Sequence, residues 1–329
     1  TSRNSSGFSS LRVIDLQVYY DTPEGVVKAV DGINFSLQQG KRLALVGESG
    51  SGKSTLAMAL MRLTRSPGRI AGGSIFLDDT DLLDLDVEDM RLARLSEIAL
   101  IPQGAMNSLN PVMKIRDQIL DGLFDHQVSG QDKFSKEQQN TRVRELLSSV
   151  ELVSSVAEMY PHELSGGMKQ RVAIAIATSM NPKVIIADEP TSALDVVVQR
   201  TVMQTLGRLQ EGLHASIVLI GHDMGLVAQF ADLVGVMYAG KMVELGPVLE
   251  VFERPLHPYT RLLIKSLPTL ESKEDFVGIP GLPPPLVNLP PGCTFCTRFG
   301  KVNKNDPPWK EVRQDHWIAE CKVCSDIGK

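Results

Sequence analysis

Residues 47–55 read Gly-Glu-Ser-Gly-Ser-Gly-Lys-Ser-Thr, which fits the phosphate-binding pattern G-x-x-x-x-G-K-[ST]. An apolar run, Leu43-Ala44-Leu45-Val46, stands directly before it, and a helix-forming run, Leu56 to Leu63, directly after. That strand–loop–helix setting separates a triphosphate cradle from a Gly/Ser-rich surface loop. Gly47, Gly50 and Gly52 let the backbone turn its N–H groups inward, and the following helix adds its dipole. Lys53 supplies a point charge for the outer phosphates, and the Ser54 hydroxyl is a Mg²⁺ ligand. Gly47, Glu48, Ser49, Gly50, Ser51, Gly52, Lys53, Ser54 and Thr55 are therefore candidate contacts of a nucleoside triphosphate and its Mg²⁺. A second chemical group sits at the other end of the chain. Cys293-x-x-Cys296 and Cys321-x-x-Cys324 are separated by 24 residues and hold all four cysteines. Paired C-x-x-C with no further cysteines reads as a local metal site rather than a scattered disulfide framework. On generic grounds the ion is tetrahedral Zn²⁺.

The elements that must position these groups are legible in outline. Strand-like runs occur at 11–20, 33–37 and 74–77, and the pattern turns helical and polar from about 87 to 168. Within that stretch lie a loop, 101–111, and a low-complexity polar segment, 129–140. Short β-branched runs return at Val184-Ile185-Ile186-Ala187 and Ile217-Val218-Leu219-Ile220, as expected of parallel strands buried on both faces. Helical stretches at 170–180 and 196–211 supply the crossovers. The nucleotide core is thus split by a helical insertion. Residues 279–292 carry six prolines and read as a linker. Thr1 to Ser10 is Ser-rich and polar, and reads as a disordered lead with no signal peptide. No apolar run reaches the ~18–20 residues of a membrane span. A net charge of −5 without a basic cluster argues against nucleic acid as a ligand.

Five further motifs follow the P-loop in order: Ile101-Pro102-Gln103, Leu164-Ser165-Gly166-Gly167-Met168, Asp188-Glu189-Pro190, Ser192-Ala193-Leu194-Asp195 and Gly221-His222-Asp223. With them, residues 11–270 resemble the ABC-type ATPase family. The resemblance implies an α/β fold: a P-loop NTPase (RecA-like) core with an antiparallel β subdomain and a helical subdomain at about 95–170. A Pro-rich linker, 271–292, and a C-terminal cysteine-rich metal-binding module, 293–329, would follow. It also implies roles. Asp188, ending a buried strand, holds Mg²⁺ through water, and Glu189 polarises the attacking water as general base. A solvated acidic turn is the bland alternative. Gln103 matches the Q-loop residue that touches Mg²⁺ or lytic water, and His222 the switch histidine that contacts the γ-phosphate. Ser165, Gly166, Gly167 and Met168 match the signature that one ATPase domain donates to the ATP of its partner, with Met168 where many members have Gln. Asp195 matches the D-loop acid. Tyr20 matches the aromatic that stacks on adenine; Tyr19 is adjacent, and strand alternation lets only one of them face the base.

Finer features, Tyr20 to Gly25, Asn107 to Pro111 and Leu256-His257-Pro258-Tyr259-Thr260 among them, look like the dipeptide/oligopeptide/nickel importer ATPases. That likeness implies an ATP-hydrolysing subunit on the cytoplasmic membrane face. Its partners would be two membrane permeases, a second ATPase subunit (a paralogue, or else a copy) and, indirectly, an external binding protein. Peptides lead as the cargo; nickel and oligosaccharides are the alternatives within the class. A DNA-repair or translation ATPase is the reading outside it, disfavoured by the single P-loop, the acidic charge and the lack of heptads. The C-terminal segments Pro283-Pro284-Pro285-Leu286 and Gly292-Cys293-Thr294-Phe295 match importer ATPases whose cysteine tail in some members holds a [4Fe–4S] cluster. The match then departs: Phe299 follows Arg298 where a cysteine is usual. Cys293 and Cys321 look retained, Cys296 and Cys324 look like replacements. With the resemblance included, [4Fe–4S] leads, Zn²⁺ is the alternative, and unmetallated thiols come third.

Overall fold

The computed structural model describes residues 9–104, 107–126, 135–266 and 278–327. The proposed lead therefore lies almost wholly outside the described residues, as do parts of the 129–140 segment and of the linker. In chain order the first elements are β1 (Ser9–Thr22), β2 (Gly25–Gln38), β3 (Arg42–Val46), α1 (Lys53–Leu60), β4 (Gly68–Leu77) and β5 (Thr80–Asp81). Then come α2 (Val87–Ser96), β6 (Ile98–Ile101), α3 (Ile115–Asp125), α4 (Lys136–Ser149), α5 (Gly166–Ala177), β7 (Val184–Asp188) and α6 (Val196–Leu213). The last are β8 (Ser216–Ile220), α7 (Met224–Phe230), β9 (Leu233–Tyr238), β10 (Lys241–Pro247), α8 (Val248–Glu253), α9 (Pro258–Lys265), α10 (Thr294–Arg298), β11 (Trp309–Arg313) and β12 (His316–Ala319). They form two compact units.

One unit comprises residues 11–37, 42–83 and 220–329. Its antiparallel sheet runs β2-β1-β4-β5. The strand read at 11–20 carries a bulge that its apolar positions encode. Leu11 and Val13 are buried, then the parity shifts and Leu16 and Val18 are buried. The register slips between Ile14 and Gln17, with Asp15 at φ 45°. A bulge moves the apolar side chains back to the core after an odd residue is inserted. The strands are also longer than the apolar runs suggest, because β2 and β4 continue through polar residues on the exposed face.

In the second sheet of this unit, β3 pairs parallel with β9, β9 antiparallel with β10, β10 with β12, and β12 with β11. The segment 293–329, read from sequence as a module beyond a linker, thus continues the sheet that carries the P-loop strand. The Pro-rich stretch is tied to β2: Lys28 N–H donates to Leu286 O at 3.2 Å, and Val27 bridges Val287. Aromatic packing holds the rest, with Phe295 edge-on to Tyr238, His257, Tyr259 and Phe299 at 5.2–5.7 Å between centroids.

The other unit comprises residues 1–10, 38–41 and 84–219. Its parallel strands β6 and β7 pair from Ile98↔Val184 to Ile101↔Ala187, and β7 is buried throughout. Between β6 and β7 lie α3, α4 and α5, while β6 itself falls within the stretch expected to be helical and α2 breaks helical geometry at Arg94 and Leu95. Ser135 and Gln138 form a capping box on α4, satisfying two otherwise orphaned N–H groups.

A buried carboxylate ties the C-terminal strands to the rest of their unit. Glu244 on β10 accepts from Leu256 N–H and His257 N–H, both at 2.9 Å, and lies 2.8 Å from His316 Nε2 on β12. Neither Glu244 nor His316 is exposed. Gly246 makes room for the imidazole, since a Cβ there would lie 2.7 Å from the ring. Glu244→Leu strands these donors in the interior, which is expected to cost about 3 kcal/mol. The check is the urea midpoint of the full chain; an unchanged midpoint would show that the donors do not depend on Glu244.

Candidate nucleotide site and thiol cluster

The P-loop is built by backbone pressed on backbone. β3 emerges from its pairing with β9 at Gly47, φ 144°, where a Cβ would lie 2.1 Å from Met237 O. Gly52, φ 103°, stands just as close to Ala29 O. No side chain fits at either position, and L-residues avoid both conformations. α1 then starts at Lys53 with no side-chain cap, so its first N–H groups face the loop without a competing protein acceptor from a cap. The buried Lys53 ammonium donates to Gly47 O at 2.8 Å, Glu48 O at 2.9 Å and Ser51 Oγ at 3.2 Å, so that the loop curls around the charge. Ser49, Gly50 and Ser54 are exposed, whereas Ser51 is buried and Thr55 half-buried.

Two other candidates belong to the same unit. The two tyrosines point apart, as alternation requires. Tyr19 is committed to the sheet: its hydroxyl donates to Asp31 at 2.7 Å, and burial together with that bond raises its pKa. Tyr20 instead lies over Gly68, where a Cβ would come within 2.6 Å of its ring. His222 is exposed between β8 and α7. Gly221 N–H donates to Leu45 O at 3.3 Å, and Asp223 caps α7 through Leu226 N–H at 3.0 Å, so the residues on either side of His222 are fixed.

The acids lie in the other unit. Asp188 ends β7 fully buried, and Glu189 follows at φ 46°. A left-handed glutamate is uncommon, and such strain persists where the surroundings impose it. Gln103, just beyond β6, donates from Nε2 to Glu189 Oε2 at 3.1 Å. The pairing of β6 with β7 brings these two residues together. Ser165 is the N-cap of α5, accepting from Met168 N–H at 3.3 Å. The cap uses the backbone N–H of residue 168, which methionine supplies as well as glutamine does. Gly167 is dictated by packing: a Cβ would lie 2.5 Å from Val198 Cγ1 on α6. Asp195 caps α6 through Val198 N–H at 3.0 Å.

The four cysteines, far apart in sequence, converge. Their Sγ atoms are buried and all within 4.8 Å of one another. Gly292, φ 97°, allows the entry turn, since a Cβ would lie 1.8 Å from Asn303 O. Cys293 N–H donates to Asn303 O, and Asn303 Nδ2 to Cys321 Sγ at 3.3 Å. A hydrogen bond with Cys324 holds Cys293 down to about 5. The reciprocal bond pushes Cys324 up, and burial pushes Cys296 up.

Comparison with known proteins decides the family. Residues 30–192 match the ABC transporter family, and residues 243–303 the oligopeptide/dipeptide transporter C-terminal region. The oligopeptide transport ATP-binding protein OppD of Bacillus subtilis is 44% identical over 97% of this chain and 90% of its own. The dipeptide transport ATP-binding protein DppD of Lactococcus lactis is 43% identical over 93% of this chain and 89% of its own. The chain belongs to this family of peptide ABC-transporter ATPases. Among solved structures, the dimeric, ADP- and Pi-bound ATP-binding cassette MJ0796 has a TM-score of 0.64 at 28% identity, covering 72% of this chain and 98% of that one.

The ABC transporter match contains the P-loop, Gln103, the signature and the paired acids; Tyr20, Asp195 and His222 fall outside it. The C-terminal match ends between the cysteine pairs, with Cys321 and Cys324 beyond it. Sequence reasoning missed the roles of Arg298, Tyr259 and Glu244, because their contacts with Glu48 and His316 span 72 or more residues and carry no periodic signal. For this ATPase, Glu189→Gln is expected to leave nucleotide binding intact and lower turnover by about 10²–10⁴-fold. Steady-state phosphate release beside ATP binding makes the comparison. Undiminished turnover would remove Glu189 as the base.

Proposed function

We propose that this ATPase is the energy-coupling subunit of a binding-protein-dependent importer of di- or oligopeptides, working at the cytoplasmic face of the membrane as one of two ATPase subunits. The Gln103–Glu189 bond carries the catalytic part of the reading, because it joins a strained acid to a side chain able to report on it. The loop N–H groups and Lys53 bind the ATP phosphates; Ser54 and Asp188 hold Mg²⁺. Glu189 takes the proton of the attacking water, Gln103 orients Glu189, and His222 contacts the γ-phosphate. Tyr20 stacks on adenine, with its neighbour Tyr19 already engaged by Asp31. The N-terminus of α5, from Ser165 to Met168, serves the ATP of the second subunit, a paralogue or a copy, and Asp195 faces the same partner. Two permeases, in turn fed by an external binding protein, receive the work. Among the described residues no helix is long and apolar enough to cross a membrane.

The thiol cluster supports a resident metal. Four sulfurs inside 4.8 Å, none of them engaged in a disulfide, form a donor set that a bound cation would draw into the thiolate form. A tetrahedral ion with bonds of about 2.3 Å sets its sulfurs about 3.8 Å apart. The Sγ pairs Cys296–Cys321 at 3.5 Å and Cys293–Cys324 at 4.0 Å straddle that value. A [4Fe–4S] cubane, which the resemblance favours, holds each thiolate on a different iron and so needs a wider cage. The spacing therefore favours the alternative, Zn²⁺, in a closed structural site.

Two measurements test these readings. Co-expressed with its permeases and second ATPase, the chain is expected to sediment with membranes, and peptide-loaded binding protein to stimulate turnover. Sedimentation with ribosomes or DNA instead would refute the transport reading. Anaerobic purification is expected to give colourless protein with stoichiometric zinc. A brown chromophore with iron and sulfide would assign [4Fe–4S], and metal-free thiols would sink both.

A further inference from the structure

The helix that carries the first cysteine pair ends on the P-loop. α10 starts at its N-cap Cys293, contains Cys296, and finishes at Arg298, whose side chain is 1% exposed. Arg298 grips both carboxylate oxygens of Glu48, the second residue of the P-loop, through Nη1 at 2.6 Å and Nη2 at 3.1 Å. Its other hydrogen bonds go to the Pro-rich stretch: Nε to Pro280 O, and Nη2 to Ile279 O and Gly281 O, at 2.8–3.1 Å. Burial opposes the charge, but Glu48 and Tyr238 together more than offset it, so the guanidinium is held above its ordinary pKa. Such a fork is rigid and directional in a way that a lysine is not.

Glu48 is a junction. Its side chain is on Arg298, its N–H donates to Tyr259 Oη at 2.9 Å, and its carbonyl accepts from the phosphate-binding Lys53 at 2.9 Å. Tyr259 in turn packs on Phe295 of α10 and on Tyr238, at 5.7 and 4.6 Å between centroids. The cysteine helix therefore reaches the P-loop by two routes, one ionic and one aromatic. Two physical consequences follow. A carboxylate in a loop that must receive a polyanion repels it unless neutralised, and Arg298 neutralises Glu48. A five-residue helix does not persist alone, so the position of Arg298 depends on what fixes Cys293 and Cys296.

We propose that Arg298 is a positioning residue through which ligation of the four thiolates sets the affinity of the P-loop for ATP. This rests on the metal reading above. Metal bound at the cysteines holds α10, α10 holds the guanidinium, and the guanidinium holds and neutralises Glu48 at the mouth of the phosphate site.

The test uses the full chain, with its metal content measured first in wild type, in Arg298→Met, in Arg298→Lys and in Arg298→Met combined with Glu48→Gln. ATP affinity is read by calorimetry before and after chelation. In wild type, chelation is expected to weaken ATP binding by about tenfold, and by reciprocity saturating ATP tightens metal binding, read by competition with the chelator at equilibrium, by the same factor. Arg298→Met and Arg298→Lys are each expected to bind ATP about tenfold more weakly with metal in place, and to lose ATP protection of the metal. Adding Glu48→Gln to Arg298→Met removes the repelling charge and restores most of the ATP affinity. A purely structural role for Arg298 predicts no such rescue. Should Arg298→Met fail to fold, Arg298→Lys carries the comparison. Wild-type ATP affinity in a metal-loaded, folded Arg298 variant would overturn the proposal, as would equal effects of chelation in wild type and variant. A wild-type chain that holds no metal and takes up none would overturn the metal reading itself, and with it the ligation arm.

Discussion

Backbone-on-backbone contact at the P-loop is the constraint around which its unit is organised. Gly47 lies against the carbonyl of Met237 and Gly52 against that of Ala29, each at a separation that no side chain survives. The two carbonyls belong to β9 and β2, so the loop is clamped between the parallel pair β3–β9 and a strand of the antiparallel sheet. Gly240 N–H closes the far side by donating to Ser51 O at 3.0 Å. The loop's shape is therefore set by strands rather than by its own hydrogen bonds. Lys53 can spend its donors inside the loop because that shape already exists.

The same economy governs the signature region in the other unit. Ser165 and Asp195 each do what any good N-cap does, accepting from the third residue of the helix they begin. Gly167 is required simply because α5 and α6 cross there. Such local duties account for the residue types, and they leave a helix N-terminus carrying small residues and partial positive charge. Position 168 illustrates the division, since the cap calls on its backbone N–H and not on its side chain.

How much of this was legible follows from the range of each interaction. The P-loop, the acid pair after Val184–Ala187 and the C-x-x-C pairs are local, so residue type and spacing suffice to find them. The β1 bulge was also written in the sequence, as the change from odd to even apolar positions between Val13 and Leu16. What was missed depends on pairs distant in the chain. Glu48 and Arg298 are 250 residues apart, Glu244 and His316 are 72 apart, and neither pair leaves a periodic trace. The six-proline stretch reads as a linker because proline cannot join a regular ladder. Arg298 nevertheless takes three of its carbonyls, and Lys28 takes another.

The C-terminal segment is too thin to stand by itself. Its regular structure amounts to one five-residue helix and strands of five and four residues. A single hairpin of that size is marginal in water, and so is a helix of that length. Three supports make up the difference, each of a different kind: the β12–β10 ladder with its buried Glu244–His316 pair, the aromatic cluster around Phe295, and the thiol cluster. The aromatic cluster is anchored twice on residues next to the P-loop, since Tyr238 ends the strand that walls Gly47 and Tyr259 bonds to Glu48 N–H. Order in the cysteine segment and order in the P-loop are therefore properties of one packed region. A ligand that tightens either end lowers the cost of ordering the other.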